Sequence, residues 1–325
     1  MSMMWGMRFD FRNPEFAGTT SADRYAASLE IAEWADRLGC VSISIAEHHS
    51  SPDEYIPSPV VMLAAMAART KNVGLSIAAL IAPFYDPLRL AEDICVLDQL
   101  SRGRVNLVVG GGYVHEEFEM YGVPMNERPK RVVELVRTLK GAFTGEPFEY
   151  RGRTVHVRPG PYRAGGPGVM LGGSSEGAAR RAARIADGFV PTEAGVWEFY
   201  RDEVQKLGRP DPGPNMMGPG PTIALAADVE RGWEQMGPYF LHETNSYGAW
   251  AAQDDVASPY RTMTGVEELR ASGEYVVLTP DEYVEQLKEQ DFAFPFLHPL
   301  CGGMPPEVAW SSLRLFEEKV IPAFD

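Results

Sequence analysis

The chain has 325 residues, 45% of them hydrophobic and 23% charged, with a formal net charge of −15. That length suits one barrel with insertions better than a single sandwich or bundle, and the acidic balance excludes a nucleic-acid backbone as partner, which needs clustered Lys and Arg. Three widely spaced cysteines, Cys40, Cys95 and Cys301, contain no CxxC pair, which excludes a disulfide framework or zinc knuckle and fits a reducing compartment.

In chain order, MRFDFR (7–12) predicts a strand and 21–38 a helix, with Ser21 as N-cap and Gly39 as its stop. VSISIAE (41–47) alternates as a strand does, and SPVVMLAAMAART follows as a helix with Pro59 in its first turn. VGLSIAALIA (73–82) leads into DPLRLAEDICVLDQLSRG, and RVNLVVGGG (104–112) into the helical 127–143. FEYRGRTVHV (148–157) predicts a hairpin around Arg151-Gly152. VMLGG (169–173) precedes SSEGAARRAARIA, and GFVPT (188–192) precedes WEFYRDEVQKLG. PTIALAAD (221–228), TPDEYVEQLKEQ, FAFPFLHP and PPEVAWSSLRLFEEKV complete the series.

About eight strand candidates, each followed by a helix, imply a parallel sheet closed into a (β/α)8 TIM barrel of α/β class. An open doubly wound sheet is the competing fold, disfavoured because no early strand is followed by GxGxxG. The Pro/Gly-rich 209–221 reads as a loop between barrel units, so residues 1–325 read as one domain. Segment 229–276 is too long for one helix and its turn. Its aromatics, Trp233, Tyr239, Phe240, Tyr247, Trp250 and Tyr260, either pack the insertion onto the body or form a lid. The opening MSMMWGMRFDFRNP lacks a leader pattern and no apolar run nears the roughly 18 residues of a membrane span, so a cytoplasmic location without membrane partner is expected.

Barrel active sites lie at the C-terminal ends of strands. That filter selects Glu47, His48 and His49, then Gly110–Gly112, Gly172–Ser175, Thr192, Glu193 and His298. In LGGSSEGAARR, two glycines expose backbone amides and Ser174 or Ser175 caps the next helix, which makes either a phosphate site or an ordinary N-cap. Adjacent residues on a strand face opposite ways, so one of His48 and His49 faces the mouth unless the strand has ended. The remaining histidines show no ligand spacing, so no metal site is predicted. In VVGGGYVHEEFEMYG the glycines leave room for a flat ligand, and at least one of Glu116 and Glu117 reads as a solvated first-turn residue.

Six segments in this order and spacing carry a resemblance: AEHH (46–49), VGLSIAALIAPFYDPLRLAEDICVLDQLSRGR (73–104), GGGYVHEEFEMYG (110–122), NERPKR (126–131), LGGSS (171–175) and LRLFEEKVIPAF (313–324). Over essentially its whole length the chain resembles the bacterial luciferase-like family of flavin-dependent monooxygenases. The resemblance implies a (β/α)8 barrel, reduced FMN or a deazaflavin coenzyme, O2, a separate flavin reductase and a homodimer. His48 matches the family histidine near flavin and substrate, and is the catalytic candidate. Ala78-Ala79 falls at the family's non-proline cis peptide behind the flavin ring. Gly111, Gly112, Gly172, Gly173, Ser174, Ser175 and Arg128 are the other cofactor-binding candidates, with Arg128 near the phosphate. Phe84, Tyr85, Tyr113, Trp197 and Phe296 are candidates for a substrate wall. The chain departs from luciferase in having Gly110-Gly111 where that enzyme has Cys-Arg, so the resemblance does not extend to light emission. The function it implies is oxygenation of a small apolar or carbonyl-containing substrate with reduced FMN. The alternatives are deazaflavin-dependent hydride transfer and a non-catalytic flavin-binding homologue.

Overall fold

Apolar residues at two-residue spacing build the strands of the computed structural model, which describes residues 3–215, 220–253, 258–290 and 294–324. Parts of the predicted 209–221 loop (216–219), of the 229–276 insertion (254–257) and of FAFPFLHP (291–293) lie outside the described residues. Strands β1 (Gly6–Phe9), β2 (Ser42–Ile45), β3 (Gly74–Ile81) and β4 (Val105–Gly110) align Met7, Ile43, Leu75 and Val105 in one buried row. The opposite face carries Arg8, Ser44, Ser76 and Asn106, aligned in the same register and half-buried. Alternation therefore sorts an apolar face from a polar one.

The hairpin β5 (Phe148–Tyr150) and β6 (Arg153–Val155) turns at Arg151 and Gly152, both at positive φ, as predicted. β7 (Gly168–Gly173) and β8 (Gly188–Pro191) extend the sheet, and β11 (Phe296–Leu297) joins its other edge beside β1. The result is one seven-stranded parallel sheet in the order β11-β1-β2-β3-β4-β7-β8. β9 (Thr222–Leu225), in the seventh barrel position, pairs instead with β10 (Tyr275–Leu278), a strand that begins at the end of the predicted insertion. The hydrogen-bonded wall is thus an open parallel sheet, not the fully closed eight-strand ladder expected. β9 still lies against β11, and a void of about 20 Å³ between them is lined by Ala224, Leu225, Leu297 and His298.

Helices α1 (Ser21–Arg37), α2 (Pro59–Arg69), α3 (Pro87–Ser101), α4 (His115–Tyr121) and α5 (Arg128–Phe143) cover the first half. α6 (Glu176–Ile185), α7 (Ala194–Lys206), α8 (Val229–Ala251), α9 (Val266–Ser272), α10 (Pro280–Lys288) and α11 (Pro306–Leu315) cover the second. The N-cap of α1 is Thr20, not Ser21: its hydroxyl accepts from Asp23 N while Asp23 reaches back, a capping box. Gly39 follows at φ 79°, in the left-handed region expected of a stop. Among the described residues no helix is long and apolar enough to cross a membrane.

Candidate active site

Strand β2 ends at Ile45, so Glu47, His48 and His49 lie in the following loop and all three bury their side chains. Strand alternation no longer constrains them. Glu47 Oε2 accepts Ile81 N at 3.0 Å, and its Oε1 accepts the Tyr85 hydroxyl at 2.9 Å. His49 Nε2 lies 2.8 Å from the same Oε1. Glu47 therefore clamps the end of β2 to the end of β3. Burial raises its carboxyl pKa, against the hydrogen bonds from His49 and Ile81. The His49 ring stands edge-on to the stacked pair Phe84 and Tyr121, and the Tyr121 hydroxyl lies 3.1 Å from Nδ1.

His48 Nδ1 lies 2.8 Å from Glu117 Oε1, which also accepts His49 N at 2.8 Å. With Glu117 ionised, Nδ1 carries the proton and Nε2 is left as the proton-exchanging nitrogen. Burial pulls the His48 pKa below its usual value, while Glu117 opposes the shift. Glu117 is fully buried in the first turn of α4, where the helix N-terminus favours a carboxylate. Its neighbour Glu116 is exposed and accepts from Gln253, so the two acids have separate roles.

Four aromatic rings surround His48. Trp250 lies 4.3 Å away and tilted 30°, and Tyr55, Tyr247 and Tyr113 stand edge-on at 4.9, 5.8 and 5.9 Å. The fully buried Arg12 places its guanidinium 4.6–4.8 Å from the rings of Tyr55, Tyr247 and Trp250. Three rings thus separate His48 from a buried cation. Arg12 Nη1 donates to Asp53 at 2.5 Å, and Asp53 also pairs with His242 at 2.8 Å. Against the upward pull of burial, His242 and Arg12 hold the Asp53 carboxyl well below the usual range. Of the aromatics of 229–276, Trp233 and Phe240 pack in the core, while Tyr247 and Trp250 lie against His48.

The Ala78–Ala79 peptide is cis, and the β3–β4 register shifts between Ala78 and Leu80. Past it, Ile81 pairs with Gly110, bringing the Glu47 clamp beside the glycine run. Gly112 sits at φ 72°, and a Cβ there would stand 2.8 Å from Ile81 Cγ2, so no other residue fits. A Cβ on Gly111 would stand in ordinary contact with Arg128 Cβ at 3.9 Å, and Arg128 donates to the carbonyls of Gly112 and Met125, each at 3.0 Å. One strand further, Gly172 and Gly173 end β7 and Ser175 caps α6, accepting Ala178 N at 3.3 Å. A Cβ on Gly173 would meet Ala178 Cβ at 2.5 Å, so the glycine lets α6 start close to the strand.

Of the predicted wall, Phe84, Tyr85 and Tyr113 reach the histidines directly or through Glu47. Trp197 and Phe296 do not. Trp197 donates to Gly213 O at 2.9 Å and packs on Tyr200. Phe296 pairs with Gly6 at the N-terminal end of β1, opposite the strand ends that carry the site. Sequence reasoning missed Arg12, Asp53, Tyr55 and the pairing of Glu117. Arg12 follows the end of β1, so the strand-end filter applied to MRFDFR finds it.

With this geometry in hand, a profile described as luciferase-like monooxygenase matches residues 3–292. Limonene 1,2-monooxygenase of Rhodococcus erythropolis is 31% identical over 138 residues, covering 40% of this chain and 36% of that protein. The chain matches the first such curated relatives over about two-fifths of their length. Among solved structures, the oxygenating constituent of 3,6-diketocamphane monooxygenase from Pseudomonas putida, in complex with FMN, superposes with a TM-score of 0.73 at 20% identity, covering 99% of this chain and 98% of that one. An F420-dependent secondary alcohol dehydrogenase superposes at 0.69 with 16% identity, covering 100% of both chains. At these identities the likeness establishes the fold.

Proposed function

The chain belongs to the luciferase-like monooxygenase family, and from that premise we propose that it is a flavin-dependent monooxygenase acting on a small apolar or carbonyl-containing substrate. The observation that carries the reading is His48. It is a buried imidazole, held through Nδ1 by Glu117 and ringed by aromatics, and its neighbour Glu47 is bound to Ile81 just past the cis Ala78–Ala79 peptide.

Reduced FMN, when bound, supplies the electrons that activate O2. The residues present fit such a group: Gly111 and Gly112, just past the strand beside the cis Ala78–Ala79 peptide, would offer backbone alone to its ring, and Gly172–Ser175 with the α6 N-terminus offer amides and hydroxyls to its phosphate. Arg128, held on the Gly112 and Met125 carbonyls, is the cation assigned to the phosphate in this reading. His48 holds or delivers a proton at Nε2 while Glu117 fixes the tautomer, the division of labour expected of a neutral imidazole in general acid–base work. Tyr55, Tyr247 and Trp250 keep water from the reacting face. A separate flavin reductase delivers the reduced cofactor, in keeping with a structural relative described as an oxygenating constituent. The enzyme works as a homodimer, a reading supported by exposed Val61, Val96 and Leu100 on the neighbouring helices α2 and α3.

The second reading is deazaflavin-dependent hydride transfer, favoured by the likeness to an F420-dependent dehydrogenase. Anaerobic titration with reduced FMN and with reduced deazaflavin, followed by absorbance, separates the two. Tight reduced-FMN binding with substrate-dependent O2 consumption is the expected result. Binding of deazaflavin alone, with substrate oxidised in the absence of O2, would replace the first reading with the second.

A further inference from the structure

One helical turn before Tyr247, α8 carries Glu243, which meets a cluster that the flavin chemistry does not use. Glu243, His298 and Cys301 bring a carboxylate oxygen, an imidazole nitrogen and a thiol sulfur within 4.8 Å of one another, all buried. The His298 side chain is 1% exposed, and neither of its ring nitrogens makes a hydrogen bond to any described residue. Such a group bears a desolvation cost that the nearby carboxylates, lying outside hydrogen-bond geometry, do not offset, and it calls for an occupant.

The surroundings indicate which occupant. His298 Nδ1 lies 3.3 Å from Glu243 Oε1, the edge of a tetrahedron whose metal–ligand bonds are ~2.0 Å. Its Nε2 faces Asp10 Oδ2 at 3.7 Å, the carboxylate–histidine arrangement that orients metal-bound imidazoles. The Cys301 thiol and the Tyr275 hydroxyl donate to Glu243 Oε2 at 2.9 and 2.7 Å, and Arg8 pairs with Oε1 at 3.0 Å. The donors are therefore held from outside as well as gathered.

We propose that Glu243, His298 and Cys301 bind one divalent cation of the zinc class, through His298 Nδ1, Cys301 Sγ and a Glu243 carboxylate oxygen. One nitrogen, one sulfur and one oxygen form a donor set that zinc accepts. Binding releases the Cys301 proton to water. The thiolate and the carboxylates of Glu243 and Asp10 then face the two charges of the cation and the one on Arg8. The cation ties α8 to the turn after β11 and, through Asp10, to the end of β1. It thereby fixes the root of the helix that lays Tyr247 and Trp250 over His48.

The test starts from the full-length protein, stripped with a chelator and titrated with Zn²⁺ or Co²⁺ alone. The proposal predicts about one Zn²⁺ per chain by elemental analysis and a Tm that rises with Zn²⁺ concentration. With Co²⁺ it predicts a sulfur-to-metal charge-transfer band in the near ultraviolet. Cys301→Ser should abolish that band. Asp10→Asn, which leaves all three ligands in place, should weaken Zn²⁺ binding by about 10–100-fold. Far-ultraviolet circular dichroism checks that each variant folds, and the wild type alone decides the first question. Less than about one-tenth of an equivalent of zinc with an unmoved Tm, or a charge-transfer band that survives Cys301→Ser, overturns the proposal.

Discussion

The His48 pKa lies below its ordinary value because burial among Tyr55, Tyr247 and Trp250 excludes the water that would solvate an imidazolium, and one buried carboxylate only partly compensates. The unfolded chain takes up a proton on this imidazole as pH falls through about 6.5, whereas the folded site resists it. The unfolded state then binds more protons, so this contribution to stability is whole above that pH and is lost as pH drops below it. Histidine-resolved NMR should place the His48 pKa below 6.5, the ordinary value. Glu117→Gln keeps an acceptor for Nδ1 but removes the opposing charge, and should lower that pKa further; an upward shift would contradict the assignment. The sequence pointed to His48 through its place after an alternating strand. It did not reveal Glu117, because two adjacent acids opening a helix look alike until one of them is buried.

At the scale of elements, close approach decides more than propensity. Gly173→Ala forces a methyl into Ala178 of α6, and such overpacking costs about 1–3 kcal/mol. The variant should melt at lower temperature and bind reduced FMN more weakly, as calorimetry and an anaerobic titration can measure; unchanged flavin affinity would detach the Gly172–Ser175 loop from the phosphate. The strands were legible because apolar residues recur every second position from Met7 to Leu171, and the Arg151-Gly152 hairpin because its residues suit a left-handed turn. Closure of the barrel was not legible. Tyr275–Leu278 takes the edge of β9, and nothing in a lone four-residue strand at the end of a long insertion announces its partner.

Across the whole molecule the site is a meeting of distant segments: Arg12 after β1, the Glu47–His49 loop, Glu117 on α4 and the Tyr247–Trp250 turn of α8. Local patterns carry little information about such encounters, which is why aromatics of the insertion read equally as packing or as lid, while Trp197 and Phe296 were assigned to a wall they do not join. If Trp250 shields the reacting face, Trp250→Ala should let water in. O2 consumption then continues while product per O2 falls and hydrogen peroxide accumulates; an unchanged product-to-O2 ratio would show that the ring only packs. The most direct test of the account concerns His48 itself. With reduced FMN supplied by an excess of flavin reductase, His48→Ala should bind the flavin as the wild type does and lose ~10²–10⁴-fold in substrate oxygenation. Undiminished oxygenation by that variant would contradict the claim that this imidazole handles the proton.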